Sequence, residues 1–131
     1  MLRRTSAVPV AIIFALALAC ACAKAPPDLS PAGTAAFHGM RVVKALDQFR
    51  DIATAANAET PPLVSTATTR QIVLYHKSAV TIIGATPDGW ISVVQIGLDE
   101  LKDRLPPAER KLLDPYIVFV QTIIREVTRD R

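Results

Sequence analysis

An all-α fold, a small four-helix up-down bundle, is predicted for this chain of 131 residues. Three observations predict it. Apolar residues beyond Thr34 recur at helical spacings of three and four. Proline and glycine clusters cut that pattern into four segments of bundle-helix length. The links between segments are short, which favours antiparallel neighbours. The alternative is an α+β fold with a hairpin across residues 79–97.

The first helix is read from Thr34. Ala35, Gly39, Val42, Leu46, Phe49, Ala53 and Ala56 form one stripe, and Arg41, Lys44, Asp47, Gln48, Arg50 and Asp51 fall mostly on the other side. Its alanines and glycine permit close helix approach. The stretch from Asn57 to Pro62 ends it, because Thr60-Pro61-Pro62 cannot continue a helix. A second helix is predicted to start at Thr68, which with Gln71 matches a capping box. Ile72, Tyr75, Ala79 and Ile82 make one stripe and Val73, His76, Val80 and Ile83 another, a wide face suited to two neighbours. Thr86-Pro87-Asp88-Gly89 then breaks the pattern. Pro-Asp-Gly between β-branched runs is a hairpin signal, whereas Thr86 as N-cap and Pro87 as first residue would open a helix. Ile91, Val94, Leu98, Leu101 and Leu105 keep helical spacing, and strict alternation fails at Val93-Val94, so a third helix is favoured. Glu100 and Arg104 stand at i and i+4 on it. The fourth helix follows Pro106-Pro107, with Leu113, Tyr116, Val120, Ile123 and Val127 in line. Pro115 is expected to kink or split it. Arg125, Arg129 and Arg131 lie near its C-terminal end, where the helix dipole favours cations.

Hydrophobic residues make up 50% of the chain, and 18 of them fall within residues 1–23. There Arg3 and Arg4 precede an unbroken apolar run, Val10–Ala19, which is followed by small residues. This is the layout of an export signal, cleaved in the mature protein. From Ala7 to Ala23 the run makes roughly 25 Å of helix, the low edge for a stable span. Neither Tyr116–Val120 nor residues 72–96 would cross a bilayer; the first is too short, and His76, Lys77 and Asp88 interrupt the second.

Both cysteines, Cys20 and Cys22, close this run. Three readings stand: a lipid on one cysteine, ordinary cleavage after Ala21-Cys22-Ala23 with the mature chain starting at Lys24, or an uncut anchor. Residues 16–20, LALAC, resemble the lipobox of bacterial lipoproteins, with Ala17 where such boxes carry Leu and Leu18 one place later. The resemblance covers the signal and the segment after it. It implies a lipid on Cys20, with Cys22 the alternative, and a place on the bacterial cell envelope facing the periplasm or exterior; cleavage at Ala23 would instead give a soluble periplasmic or secreted protein. Residues 24–33, rich in Ala and Pro, carry no amphipathic period and read as an extended tether, reaching roughly 40 Å at most from Cys20. Residues 34–131 form the bundle domain.

Composition excludes several classes. Without Arg3 and Arg4 the chain carries 13 basic against 12 acidic residues, so the basic pI is no argument for nucleic acid. Collagen, long disorder, a multi-domain enzyme and a disulfide scaffold do not fit. The sequence contains no nucleophile elbow, zinc-protease helix, dinucleotide fingerprint, P-loop or EF-hand loop. No enzymatic activity, cofactor or metal site is therefore expected.

His76 lies among apolar residues of the second helix and Trp90 at the start of the third. They are the candidate ligand-binding residues should the bundle core carry a small apolar molecule; otherwise His76 is a partly buried histidine bonded to a backbone carbonyl or water, and Trp90 is core. His38 is expected in solvent. Tyr75-His76-Lys77 do not converge, since consecutive helical residues point about 100° apart. Asp99, Glu100 and Asp103 read as a solvated acidic face. Leu74 and Val118, on the polar sides of their helices, could mark self-association. The function expected is therefore contact with another protein or envelope component, from a membrane-attached bundle; the alternative is a periplasmic carrier of a small apolar ligand in the bundle core.

Overall fold

The computed structural model describes residues 26–86 and 89–129, and the expected signal with Cys20 and Cys22 lies outside them. Among the described residues four helices run in order: α1 Pro31–Asn57, α2 Thr66–Ala85, α3 Trp90–Arg104 and α4 Pro107–Arg129. Among the described residues there is no strand. The segment at 79–97 is the end of α2 and the start of α3, so the fold is the all-α bundle and not the hairpin alternative. Each helix packs on its chain neighbours, and α4 closes the ring on α1.

The helix ends differ from expectation, each for a local reason. α1 begins at Pro31 rather than Thr34, because Ser30 caps it, its hydroxyl accepting the Gly33 N–H at 3.1 Å, with Pro31 in the first turn. The last residues of the expected tether therefore belong to α1. α2 begins at Thr66, capped by Ser65, whose hydroxyl accepts the Thr68 N–H at 3.2 Å. Thr68 is thus the third helical residue and not the cap. Thr86, expected to open α3, instead closes α2: its N–H donates to Ile82 O at 3.0 Å and its hydroxyl to the same oxygen at 2.7 Å. α3 starts at Trp90 after Gly89, with no side-chain cap. Pro87 lies outside the described residues. α4 runs through Pro115 without splitting. Lys111 and Pro115 are both exposed, on a side where solvent can take the carbonyl that the proline leaves without a donor.

Side-chain contacts fix the antiparallel register. On α1 and α2, Asp47 meets His76 and Gly39 lies against Ile83; on α1 and α4, Arg41 meets Glu126. On α3 and α4, Asp99 accepts from Gln121 and Lys102 pairs with Asp114. In this register the first two turns of α1 reach past Ala85 of α2 and Arg129 of α4. Two glycines permit close approach. A Cβ at Gly39 would stand 3.0 Å from Ile83 Cγ2, and one at Gly97 2.9 Å from Tyr75 Cε1.

The core is one cluster from Val42 to Val127, dominated by Leu, Ile and Val and plugged by Phe49 and Trp90. Val64 seals the end beneath the 58–65 loop, which contains the cis Thr60–Pro61 peptide. Asn57 holds that loop, its amide donating to Val64 O at 2.9 Å. Among the described residues this cluster runs through all four helices. Among the described residues no helix is long and apolar enough to cross a membrane.

Candidate functional site

His76 sits on the α1 side of α2, where Ile72, Ala79 and Val80 at i−4, i+3 and i+4 place it beside the core rather than in it. Its Nε2 lies 2.6 Å from Asp47 Oδ1 and 3.4 Å from Arg50 Nη1. A carboxylate only accepts, so Nε2 carries the proton and donates to Asp47. That nitrogen then cannot accept from Arg50, which bonds Asp51 at 3.0 Å and stands 4.0 Å from Asp47. The partner of His76 is thus a carboxylate, not the carbonyl or water expected. Asp47 and Arg50 were legible in the sequence only as members of a polar face. The unit clamps α1 to α2 at their middle.

Trp90 is 2% exposed, within the core at the start of α3. It lies level with the C-terminal part of α2, whereas His76 stands nine residues before Ala85, some 13 Å back along that helix. The two ligand-binding candidates are therefore not brought together. Neighbouring positions of α2 also diverge, as expected. Tyr75 faces α3, where its hydroxyl donates to Val94 O at 2.7 Å, and Lys77 is exposed. Burial raises the Tyr75 pKa, and the Asp99 carboxylate adds to the rise.

His38, expected in solvent, is buried at 4% exposure. It lies four residues before Val42 and seven before Ala45, on the same core-facing side as Phe49. One turn on, Arg41 is also buried, and its guanidinium donates to Glu126 Oε2 at 3.0 Å. A buried cation requires such a partner. Glu109 is the other polar residue that sequence reading passed over. From the first turn of α4 its carboxylate accepts the Ser65 N–H and, at 3.1 Å, the Thr68 hydroxyl, so it does for α2 what the third-residue acid of a capping box does locally.

The acidic residues of α3 are engaged at the surface: Asp99 with Gln121, and Glu100 with Arg104 at 3.8 Å. Leu74 and Val118 are exposed, at 59% and 41%. They project from α2 and α4, which occupy opposite corners of the ring, so the two do not share a face. The apolar neighbours of Leu74 come from α3 instead. Tyr75 sets Val93 and Ile96, 49% and 58% exposed, near its height.

Grooves among the described residues include two on the surface. One, of about 370 Å³, lies between α1 and the end of α2 and is lined by Ala32, Ala35, Ala36, Gly39, Met40, Val43, Ile83 and Gly84. The other, of about 380 Å³, lies along α4 at Pro107, Arg110, Lys111, Asp114 and Pro115. Neither is lined by His76 or Trp90. Among the described residues no group of three or more His, Cys, Asp or Glu is placed to hold a metal ion. The fold and its polar groups define an antiparallel four-helix bundle in which Arg41–Glu126, Asp47–His76 and Lys102–Asp114 join helix to helix. No family model matches the chain, and neither a curated protein nor a solved structure resembles it closely enough to match.

Proposed function

We propose that this is an exported protein held to the bacterial envelope by a lipid on Cys20, and that it works by contact with another envelope protein. The anchoring rests on the signal layout and on the position of both cysteines at its end. The mode of action rests on one observation: Arg41, Tyr75, His76 and Glu109 are engaged between helices, while Leu74, Val93 and Ile96 stand exposed near one height on the outer side of α2 and α3. Single exposed apolar residues are ordinary, whereas several together mark contact surfaces.

The first test is the mass of the mature N-terminal peptide from the membrane fraction, in wild type and Cys20→Ser. A diacyl or triacyl mass on Cys20, lost in the variant together with membrane retention, is expected. A soluble product beginning at Lys24 would overturn the anchoring. For the contact face, a photoreactive residue replacing Ile96 is expected to give a discrete cross-link in cells that one at Val118 does not. Equal labelling from both positions, or from neither, would count against that face.

A further inference from the structure

We propose that the α1–α2 groove is the side on which the bundle rests against an anionic lipid bilayer. This builds on the anchored reading above, which would bring the bundle to a membrane. The groove is lined by apolar and small side chains, and Met40 beside it is 59% exposed. The approach of the chain gives its direction. Leu29 N–H meets Pro26 O at 3.4 Å, closing a turn that reverses the backbone just before α1. Leu29 lies over Gly33, where an added Cβ would stand 3.4 Å from Leu29 Cδ2. Gly33, Ala36 and Met40 share one face of α1 by helical spacing, so the turn rests on the outer lip of the groove.

The turn at 26–29 places Pro26, the first described residue, beside the outer lip of the groove. Cys20 lies six Cα steps before Pro26, a reach of roughly 20 Å at most. The groove from Ala32 to Val43 is about 17 Å of helix. A lipid on Cys20 has its attachment point within reach of the whole groove.

Charge agrees with this placement. Lys44 on α1 and Lys77 on α2 flank the inner end of the groove, since the pairing of Asp47 with His76 sets them at similar heights. Both are exposed, and among the described residues neither is in an ion pair. Arg70 and Lys111, toward the other end of the bundle, are exposed and outside those ion pairs too, so it is the apolar groove beside Lys44 and Lys77 that distinguishes this end. Free cations beside an apolar surface next to the anchor fit anionic headgroups over acyl chains.

The test uses the chain from Pro26 to Arg131, which holds the described core cluster and contains no cysteine, after circular dichroism and a cooperative melt show that it folds. Its binding to vesicles of phosphatidylglycerol and phosphatidylethanolamine is compared with binding to phosphatidylcholine alone. Preference for the anionic vesicles is expected. Each lysine near such a surface contributes about fivefold in partitioning, so Lys44→Glu with Lys77→Glu should weaken binding by at least about 25-fold. Gly84→Asp puts a charge into the groove where a Cβ meets nothing within 4 Å, and should also weaken it; circular dichroism checks that each variant stays folded. A polarity-sensitive dye on Met40→Cys should shift to the blue on vesicles, and one on Val118→Cys should not. No preference for anionic vesicles, binding that survives the lysine reversals, or equal shifts at both dyes would overturn the proposal. The N-terminal mass decides the anchor separately: an unlipidated chain that still binds vesicles this way would refute the anchor and leave the docking face standing.

Discussion

Replacing Glu109 with Ala is expected to loosen a helix on which Glu109 does not itself lie. Its carboxylate takes the free N–H of Ser65, at the N-cap of α2, and the hydroxyl of Thr68. Hydrogen bonds to a charged group contribute about 1.5–3 kcal/mol each. The lower end applies here, because the Ser65 side of the contact is open to solvent. Thr68 is 3% exposed, so its hydroxyl would lose its acceptor where water has little access. Together these give a loss of about 2–3 kcal/mol. Glu109→Gln keeps one neutral acceptor and should lose about half as much. For a domain of this size 1 kcal/mol moves Tm by roughly 4–8 °C. The Ala variant should thus melt roughly 10–20 °C lower when followed by circular dichroism, and urea titration should agree. Ser65→Ala alone should cost about 1 kcal/mol as a lost cap. The double variant should lose measurably less than the sum, since both residues serve one network. A Glu109→Ala loss below about 0.5 kcal/mol, or strict additivity with Ser65→Ala, would refute the view that α4 caps α2.

Alkaline pH should act through Tyr75, whose pKa is raised in the fold. Above its ordinary value near 10 the unfolded chain gives up this proton while the folded chain keeps it, so the unfolded state is favoured as pH rises. Stability from this group is fully present below pH 10 and falls by about 1.4 kcal/mol per unit above it; the difference between wild type and Tyr75→Phe in urea titrations at pH 9 and pH 11 should shrink accordingly. Glycine substitutions on two helices should have opposite signs. Gly84→Ala, in open space, should stabilise by about 0.5–1 kcal/mol, whereas Gly39→Ala, facing Ile83 at 3.0 Å, should destabilise by about 1–3 kcal/mol. Equal shifts in Tm for the two would show that helix propensity alone, and not the α1–α2 approach, governs them.

Much of the bundle was legible in the linear order of residues. The spacing of Val42, Leu46, Phe49 and Ala53, or of Leu113, Val120, Ile123 and Val127, reports one buried side of a helix because the α-helical repeat is a local property of the backbone. The same repeat rejected the hairpin at 79–97 and kept Tyr75, His76 and Lys77 apart. Helix ends were less legible. Ser30, Ser65 and Thr86 all have cap chemistry, but which end each serves depends on competing backbone donors nearby. Pairing across helices was not legible at all. Asp47 with His76, Arg41 with Glu126 and Glu109 with Ser65 join residues 29, 85 and 44 positions apart, and nothing in the local pattern distinguishes these acids and bases from others in solvent. His38 was misplaced for a related reason: it borders the apolar stripe, and only the position of α4 against α1 decides whether that border is covered. Sequence by itself determined four amphipathic helices and where they break, because periodicity and chain stiffness act over a few residues. The tertiary structure alone decided which polar groups meet, because burial and electrostatic pairing depend on the register of helices that the chain order leaves free.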